Sequence, residues 1–367
     1  MTKRLFGLIA CLAIVGCNPE TVTEPTPSDL DRPGHIVGLV TQDGLQVIDA
    51  AGAANIEQAR PITPDAVFHI ASLSKQITAA ALAHAVLDDH VSLDDPVSLH
   101  LPEAAKYGDE LTVAHLVYMT SGLTDYTSVR RQDGRPWATF HYFTTDDAIE
   151  ASLSVDALKF RPGTAWDYSN VNYMLITRIV EAAYDRPFAD VVEARIFRPL
   201  GMKVSLIHDD VTRIVPNRAD AYIERNAGVL DALRGGAAIQ ARDEGGWVLI
   251  RRNAPHYGGS GVLTSLSDWS LWLEEMLSHE TFGEEFWTLM RRTQTFEHDK
   301  ANDAFGLVHG RLGEFDTLWY EGGDIDASSY MVALPSEGAA LACFANDPSE
   351  SCRERVMNAF ADRFGTP

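Results

Sequence analysis

The strongest constraint on the fold is a nearly all-apolar run from Ser72 to Leu87, which reads Ser-Leu-Ser-Lys-Gln-Ile-Thr-Ala-Ala-Ala-Leu-Ala-His-Ala-Val-Leu. Alanine and leucine favour helix, and a helix that is apolar on all sides must be buried on all sides. The run therefore predicts a central helix that other elements surround. Lys75 lies inside it, where a charge costs stability unless a partner offsets that cost.

Ser72 and Lys75 form a candidate pair of nucleophile and base. Residues three apart are neighbours on one face of a helix. A serine hydroxyl reacts poorly until a base takes its proton, and a lysine in apolar surroundings favours the neutral form that can do so. The alternative is structural, with Ser72 as the N-cap and Lys75 extending to water. Because Ser-x-x-Lys is common by chance, other motifs must decide.

Composition and charge exclude several classes of partner. The 367 residues carry a formal net charge of −22, from 30 basic and 52 acidic side chains. Such a chain has no electrostatic attraction to nucleic acid or to anionic lipid. The length allows one large domain or two, with a sizeable core. No histidine or cysteine grouping has the spacing of a metal site, so we predict no metal.

The N-terminus has the pattern of an exported lipoprotein. Lys3 and Arg4 precede an apolar stretch, Leu5–Gly16, that is too short to span a bilayer and is typical of a secretory signal. The stretch ends Leu-Ala-Ile-Val-Gly-Cys, which resembles the lipobox of bacterial lipoproteins. That resemblance implies a signal peptide over residues 1–16 and lipid attachment at Cys17.

The segment after the lipobox predicts how the chain is anchored. Residues 17–33 are rich in proline, threonine and acid, which favours an extended tether over a packed element. Asn18 stands where aspartate favours inner-membrane retention in lipoproteins. We therefore expect a periplasmic protein whose membrane contact is the lipid at Cys17, with the outer membrane preferred.

The rest of the chain, residues 34–367, predicts one α+β domain. His35–Ala50 reads as two strands around a turn, and more strand-like runs lie near the other end. Those runs are Gly306–Gly310, Thr317–Tyr320, Tyr330–Leu334 and Ala340–Asn346. Helical spacing marks Leu111–Val117, Ala148–Leu158, Asn172–Ala183, Pro187–Phe197, Ser265–Leu277 and Glu350–Phe364. We expect an antiparallel sheet from both chain ends, with the helical middle on one face and a cleft between them.

A second candidate motif lies in Phe160–Asn170. Its Pro-Gly pair makes a turn, and the Tyr-Ser-Asn that follows opens a helix. Tyr168 beside a cationic lysine can relay protons, and the Asn170 amide can hold both that lysine and a substrate carbonyl. Taken alone the motif is weak, because a tyrosine in such a pattern is more often a core residue.

Together these segments resemble the serine β-lactamase-like family, which contains class C β-lactamases, D-alanyl-D-alanine carboxypeptidases, D-aminopeptidases and related esterases. The matching segments follow the family's order: Phe68–Lys75, Thr112–Tyr126, Phe160–Asn170, Phe197–Met202 and Gly258–Asp268. The resemblance implies the β-lactamase/transpeptidase-like fold. It also implies that Ser72 is the nucleophile, that Lys75 and Tyr168 exchange its proton, and that Asn170 positions the substrate.

A third motif of that family is altered here. Its members carry Lys-Thr-Gly or His-x-Gly beside the nucleophile, where the cation binds a substrate carboxylate and the next amide completes the oxyanion hole. The aligned residues are Tyr320, Glu321 and Gly322, with Gly323 supplying the amide. A shift of one residue would give Glu-Gly-Gly instead. In both alignments the cation is missing, and these four residues form the predicted substrate-binding segment.

The missing cation sets the expected substrate. Met119 also stands where many relatives have histidine, and Asp326 replaces a glycine. Two unit charges 4 Å apart interact by about 4 kcal/mol at a surface-like dielectric, so Glu321 in the cleft would repel a substrate carboxylate strongly. We therefore expect a neutral ester, an amide or a substrate with a free amine, rather than penicillin. The alternative is that Glu321 points away from the cleft.

These motifs predict a serine hydrolase that forms an acyl-enzyme at Ser72 and needs no metal or organic cofactor. Its partner would be a small-molecule or peptide substrate, and the sequence does not indicate an oligomeric state. The rival hypothesis is a catalytically silent, penicillin-binding-like lipoprotein that holds a cell-wall or protein ligand. Cys343 and Cys352 can pair in an oxidising compartment, or Cys343 can be a buried free thiol.

Overall fold

The computed structural model describes residues 29–132, 143–225, 245–252, 254–294 and 303–366. The predicted signal peptide, Cys17 and most of the predicted tether lie outside the described residues. Within these ranges no helix combines the length and the apolar character that crossing a membrane requires.

The strands form one large sheet and several short ladders. Their bounds are β1 His35–Thr41, β2 Gly44–Ala51, β3 Ala53–Asn55, β4 Arg60–Pro61, β5 Val67–His69, β6 Leu206–Ile207, β7 Ala221–Glu224, β8 Trp247–Ile250, β9 Val262–Ser265, β10 Val308–Leu312, β11 Phe315–Asp324, β12 Ala327–Leu334 and β13 Ala339–Ala345. The large sheet is antiparallel, with the order β10-β11-β12-β13-β1-β2. Because β1 pairs with β13, both chain ends build this sheet, which confirms the predicted arrangement.

Helices fill the middle of the chain. Their bounds are α1 Ser74–Leu87, α2 Val97–His100, α3 Val113–Val117, α4 Tyr126–Gln132, α5 Thr145–Leu153, α6 Asn170–Tyr184, α7 Phe188–Val192, α8 Arg198–Leu200, α9 Leu266–Ser278, α10 Gly283–Met290 and α11 Cys352–Phe364. Helix α1 is buried as predicted, but it begins at Ser74 because Ser72 lies in a preceding 3-10 turn, Ala71–Leu73. Helix α5 begins and ends earlier than the predicted Ala148–Leu158, and a capping box at Thr144 starts it.

Both faces of the large sheet are covered. Alternate residues of β1 face opposite sides. Ile36 and Val40 join the core beneath the helical middle, whereas Val37 and Leu39 pack in a second core with α11. The chain's last helix therefore covers the face that the middle leaves open. A disulfide joins Cys343 of β13 to Cys352 of α11 and so fixes that helix to the sheet; of the two alternatives that the sequence allowed, the cysteines pair.

The same packing produces the cleft. Helix α1 packs against α6, and the short 3-10 turn before it contacts β11 and β12 of the sheet. Among the described residues, strand β10 pairs with β11 only as far as Trp319, so the following residues of β11 have a free edge there. The N-terminus of α1, the N-terminus of α6 and the free edge of β11 thus meet at one place.

Candidate active site

Ser72 directly follows a residue whose backbone is strained. Ala71, directly before it, has φ of 46°, which is uncommon for a residue with a side chain. Ala71 and Leu73 are fully buried, whereas Ser72 is partly exposed at the cleft. Such strained positions persist only where the surrounding packing fixes them, and they cluster at functional sites.

Lys75 and Tyr168 both contact the Ser72 hydroxyl. Lys75 Nζ lies 3.1 Å from Ser72 Oγ, and Tyr168 Oη lies 2.7 Å from it. Lys75 also donates to Asn170 Oδ1 at 2.9 Å and to the carbonyl oxygen of Gly259 at 2.5 Å. These three acceptors match the three N–H donors of an ammonium group. The lysine is fully buried and does not extend to water, so the structural alternative raised by its sequence position does not apply.

Asn170 is positioned at the first turn of α6 by an acid that the sequence motifs did not identify. Asp125 Oδ2 accepts a bond of 2.6 Å from the Asn170 backbone N–H and lies 3.3 Å from Ser169 Oγ. The other carboxylate oxygen accepts from the backbone and hydroxyl of Thr127. A carboxylate at a helix N-terminus is favourable. Tyr168 Oη is also 3.3 Å from Asn170 Oδ1, so the two motif residues are linked directly.

Gly259 is a second residue of the site that the sequence motifs did not indicate. Its carbonyl accepts from Lys75, and a Cβ at this residue would lie 3.0 Å from Asn170 Oδ1. The segment that contains it was matched to the family only as a run of residues. Its role depends on a backbone atom 184 residues from Lys75 in the chain, which a side-chain motif does not reveal.

Strand β11 brings Tyr320 and Gly322 to the cleft side. Residue 322 must be glycine, because a Cβ there would lie 2.2 Å from Ser329 Oγ, 2.7 Å from the Ile70 carbonyl oxygen and 3.0 Å from the Ser72 nitrogen. Gly323 follows at the free edge of the strand and is exposed. The free edge beside Ser72 is where a second amide donor for an oxyanion is required.

Glu321 lies on the opposite face of β11. Its carboxylate is 3.7 Å from Arg353 of α11, and both side chains are more than half exposed. Successive strand residues face opposite sides, and the cross-strand partner Tyr330 likewise faces α11. This placement corrects the prediction that Glu321 meets the substrate; the alternative, that it points away from the cleft, describes the structure.

Met119 does not line the cleft either. It is 3% exposed, has φ of 59°, and its sulfur accepts from Asn172 Nδ2 at 3.3 Å. Asn172 Oδ1 in turn accepts from Ser121 Oγ at 2.6 Å. These contacts fix the loop that carries Met119 and Ser121 against α6, so Met119, which stands where many relatives have histidine, acts in the packing of that loop.

Asp326 belongs to a buried ionic network beside the cleft. One of its oxygens pairs with His69 Nδ1 at 2.8 Å and the other accepts from the Arg252 backbone N–H at 3.2 Å, while the Arg252 guanidinium donates to Asp324 at 2.6 Å. Burial raises the pKa of Asp326, but pairing with His69 and Arg252 outweighs it and holds that pKa well below its usual range. Among the described residues His69, Asp324 and Asp326 are close enough together to hold a metal ion. The Arg252 guanidinium pairs with Asp324 and His69 pairs with Asp326, so the donor set fits an ion-pair network better than a metal.

Comparison with known proteins identifies the family. Residues 22–363 match the Beta-lactamase protein family, and the chain belongs to it. A D-aminopeptidase of Gluconobacter oxydans (strain 621H) is 30% identical over 203 residues, which are 55% of this chain and 38% of that protein. This chain therefore matches well under half the length of that curated relative.

Solved structures show the same fold. A penicillin binding protein from Bacillus halodurans superposes with a TM-score of 0.74 at 22% identity, covering 90% of this chain and 95% of that one. A D-amino acid amidase from Ochrobactrum anthropi SV3, complexed with D-phenylalanine, gives a TM-score of 0.71 at 22% identity, with coverage of 86% and 87%. The predicted α+β, β-lactamase/transpeptidase-like fold is thereby confirmed.

Proposed function

We propose that this chain is a serine hydrolase that forms an acyl-enzyme at Ser72 with an ester or amide substrate. The observation that carries the proposal is the hydroxyl of Ser72 held between Lys75 Nζ at 3.1 Å and Tyr168 Oη at 2.7 Å. A nucleophile in hydrogen-bond reach of its base, with a third group orienting that base, is the arrangement that covalent catalysis requires. The resemblance to a D-aminopeptidase and a D-amino acid amidase supports amide or peptide substrates.

The reaction would proceed in two halves. Ser72 Oγ attacks the carbonyl carbon while its proton passes to the Lys75–Tyr168 pair, and the amides of Ser72 and Gly323 hold the oxyanion. Asn170 keeps Lys75 in place and offers its amide to the substrate. The proton then moves to the leaving alcohol or amine, which departs and leaves an ester on Ser72. Water attacks that ester with the same groups in reverse order, releasing the acid and restoring the serine hydroxyl.

The environment of Tyr320 favours substrates without a carboxylate at this position. Burial, and then the nearby phenol of Tyr168, raise the pKa of Tyr320 well above its usual value. Tyr320 is therefore uncharged at neutral pH, at the position where relatives place a cation. A neutral donor binds a carboxylate less strongly than a charged one does. We expect poor turnover of penicillins and better turnover of neutral esters, amides and aminoacyl substrates.

Steady-state turnover tests this proposal. p-Nitrophenyl acetate, D-alanine p-nitroanilide, its L enantiomer and benzylpenicillin are compared on the wild type and on Ser72→Ala. We expect release of nitrophenol or nitroaniline that Ser72→Ala abolishes, with slower loss of penicillin. Faster penicillin hydrolysis than ester hydrolysis would contradict the role given to Tyr320. Inertness towards all four compounds would favour the silent penicillin-binding-like lipoprotein.

We further propose that residues 34–367 form the catalytic domain, held by the tether of residues 17–33 to a lipid at Cys17 on the periplasmic side of the outer membrane. The lipobox-like sequence supports this, as does the disulfide, because disulfides persist in oxidising compartments. The full chain and Cys17→Ala are expressed in a Gram-negative host and their membranes separated by density. Wild-type protein in the outer-membrane fraction and soluble Cys17→Ala are expected; a variant that stays in the membrane contradicts lipid anchoring.

A further inference from the structure

A cavity of about 410 Å³ lies beside the end of β11, and its lining is strongly basic. Four arginines and a histidine contribute to it: Arg213, Arg218, Arg251, Arg252 and His208. Of the described residues that line the cavity, none is acidic. The chain has 52 acidic against 30 basic residues, so a lining without a single carboxylate runs against its composition. We call this cavity the arginine pocket.

Two of its arginines have acidic partners that lie outside the lining. Arg251 pairs with Asp220, and Arg252 Nη2 lies 2.6 Å from Asp324. Those guanidiniums are held in place, yet each retains donors that these carboxylates do not use. Arg252 Nε, for example, is buried and has no hydrogen-bond partner in the part of the chain that the structure describes. A guanidinium has five N–H donors in a fixed fork, so one carboxylate does not saturate it.

Arg218 lacks such a partner. No Asp or Glu among the described residues lies within ion-pairing distance of it, and its Nη1 is 3.4 Å from His208 Nε2. Burial, and then the charge of Arg251, lower the pKa of Arg218 to about 10, while burial lowers the pKa of His208 to about 4. At neutral pH the pocket therefore holds a charged Arg218 beside an uncharged histidine. Asp326 and Asp220 attract Arg218 from a longer range, but neither forms an ion pair with its guanidinium, and a bound anion at hydrogen-bond distance would offset the cost of burying this charge.

The arginine pocket lies near the end of β11, the strand that also contacts the turn holding Ser72, because one of its arginines is bound by a residue of that strand. Gly322 packs against Ser72, and Asp324 follows two residues later on the same face of the strand. Two residues of strand cover about 7 Å. Arg252, which Asp324 holds, lines the pocket. The carboxylate that holds Arg252 therefore belongs to a residue only about 7 Å along the strand from the one that packs against Ser72.

We propose that the arginine pocket binds an anionic group, a carboxylate or a phosphate, that the substrate of Ser72 carries away from its scissile bond. This inference rests on the proposed hydrolase function. It gives the enzyme an anion site at the far end of β11, although Tyr320 supplies no cation near the nucleophile. The favoured substrates would then be esters or amides whose acyl or leaving part ends in a negative charge.

Paired esters with one leaving group test the proposal on the full chain. p-Nitrophenyl acetate is compared with p-nitrophenyl monoesters of dicarboxylic acids of four to eight carbons. In Arg218→Gln we expect kcat/KM for the best monoester to fall about ten- to hundredfold, while kcat/KM for p-nitrophenyl acetate changes less than threefold. Arg218→Lys should restore part of the loss. Arg213 lines the pocket but is exposed, so Arg213→Gln tests the role of the pocket with little risk to folding. Arg198 is an exposed arginine outside the pocket, so Arg198→Gln is the matched control.

Inorganic phosphate distinguishes a substrate site from an independent anion site. In the wild type we expect phosphate to inhibit turnover of the monoesters competitively and to inhibit turnover of p-nitrophenyl acetate little. In Arg218→Gln we expect phosphate to inhibit neither substrate. The proposal is overturned if Arg218→Gln loses turnover of p-nitrophenyl acetate and of the monoesters equally. It is also overturned if neither Arg218→Gln nor Arg213→Gln loses turnover of the monoesters. Phosphate binding that depends on Arg218 without any preference for monoesters also overturns it, because the anion is then not part of the substrate. Absence of all ester turnover in the wild type refutes the hydrolase function instead, and phosphate calorimetry still tests the pocket.

Discussion

Replacing Gly322 by alanine tests how closely β11 must approach the nucleophile. The added Cβ would lie 2.2 Å from Ser329 Oγ, 2.7 Å from the Ile70 carbonyl oxygen and 3.0 Å from the Ser72 nitrogen. Two of these three atoms belong to the backbone and cannot rotate away. Reaching ordinary contact distance requires a relative shift of β11 and the Ser72 turn of up to about 1 Å. Both partners of the oxyanion site would then move apart.

The magnitude follows from that shift. A misplacement of about 1 Å in a catalytic arrangement costs about a hundredfold in rate, and overpacking of this kind costs about 1–3 kcal/mol of stability. We therefore expect kcat/KM for p-nitrophenyl acetate to fall about a hundredfold in Gly322→Ala. Thermal unfolding should shift down by several degrees.

The neighbouring glycine provides the control. A Cβ at Gly323 meets no atom within 4 Å, so Gly323→Ala keeps both the backbone amide and the fold. Its turnover should stay within about threefold of the wild type. Wild-type turnover in Gly322→Ala, or equal losses in the two variants, would refute the reasoning that contact between β11 and Ser72 sets the site.

Four further predictions concern other parts of the molecule. Glu321→Gln should leave turnover of esters and amides within about twofold, because the side chain faces α11 in an exposed ion pair worth under about 1 kcal/mol; a large change in KM would contradict its placement. Asp125→Asn should lower kcat about tenfold or more with little change in KM, because the helix carrying Asn170 loses a charged acceptor; an unchanged kcat would contradict this. Reduction of the Cys343–Cys352 disulfide should lower the free energy of unfolding by about 2–3 kcal/mol, measured by denaturant titration with and without reductant, and no shift would be inconsistent with the bond. Burial lowers the pKa of His208 to about 4, so as the pH falls from about 6.5 to 4 this residue binds a proton in the unfolded chain but not in the folded one. The free energy of unfolding should therefore fall by up to about 3 kcal/mol over that range. His208→Gln should flatten the dependence of the free energy of unfolding on pH, and an unchanged slope would contradict the prediction.

The nucleophile region was predictable from the sequence because its signals are local. The apolar run of α1 identifies a buried helix, and a lysine three residues after a serine must share its face. Tyr168 and Asn170 were recognised as a second motif, and the structure places both within 3 Å of Ser72 or Lys75. The sheet from both chain ends also followed from the pattern, since strand-like runs cluster at each end.

The other wall of the cleft was not predictable in the same way. The face on which Glu321 lies depends on the register of β11 against its neighbours and on the packing of α11, and one residue of shift inverts every side chain. Asp125 and the carbonyl of Gly259 act on residues far away in sequence, so no spacing rule points to them. Arg252 reaches the end of β11 only through the fold. These positions depend on tertiary contacts that a single sequence does not encode in local form.

Intact-mass spectrometry of the quenched reaction tests the central claim most directly. The protein is mixed with p-nitrophenyl acetate, quenched in acid during turnover and weighed beside Ser72→Ala. We expect the mass of one acetyl group on the wild type, located at Ser72 by peptide mapping, and none on Ser72→Ala. Turnover that persists in Ser72→Ala, or an acyl group that maps to a different residue, would contradict covalent catalysis at Ser72.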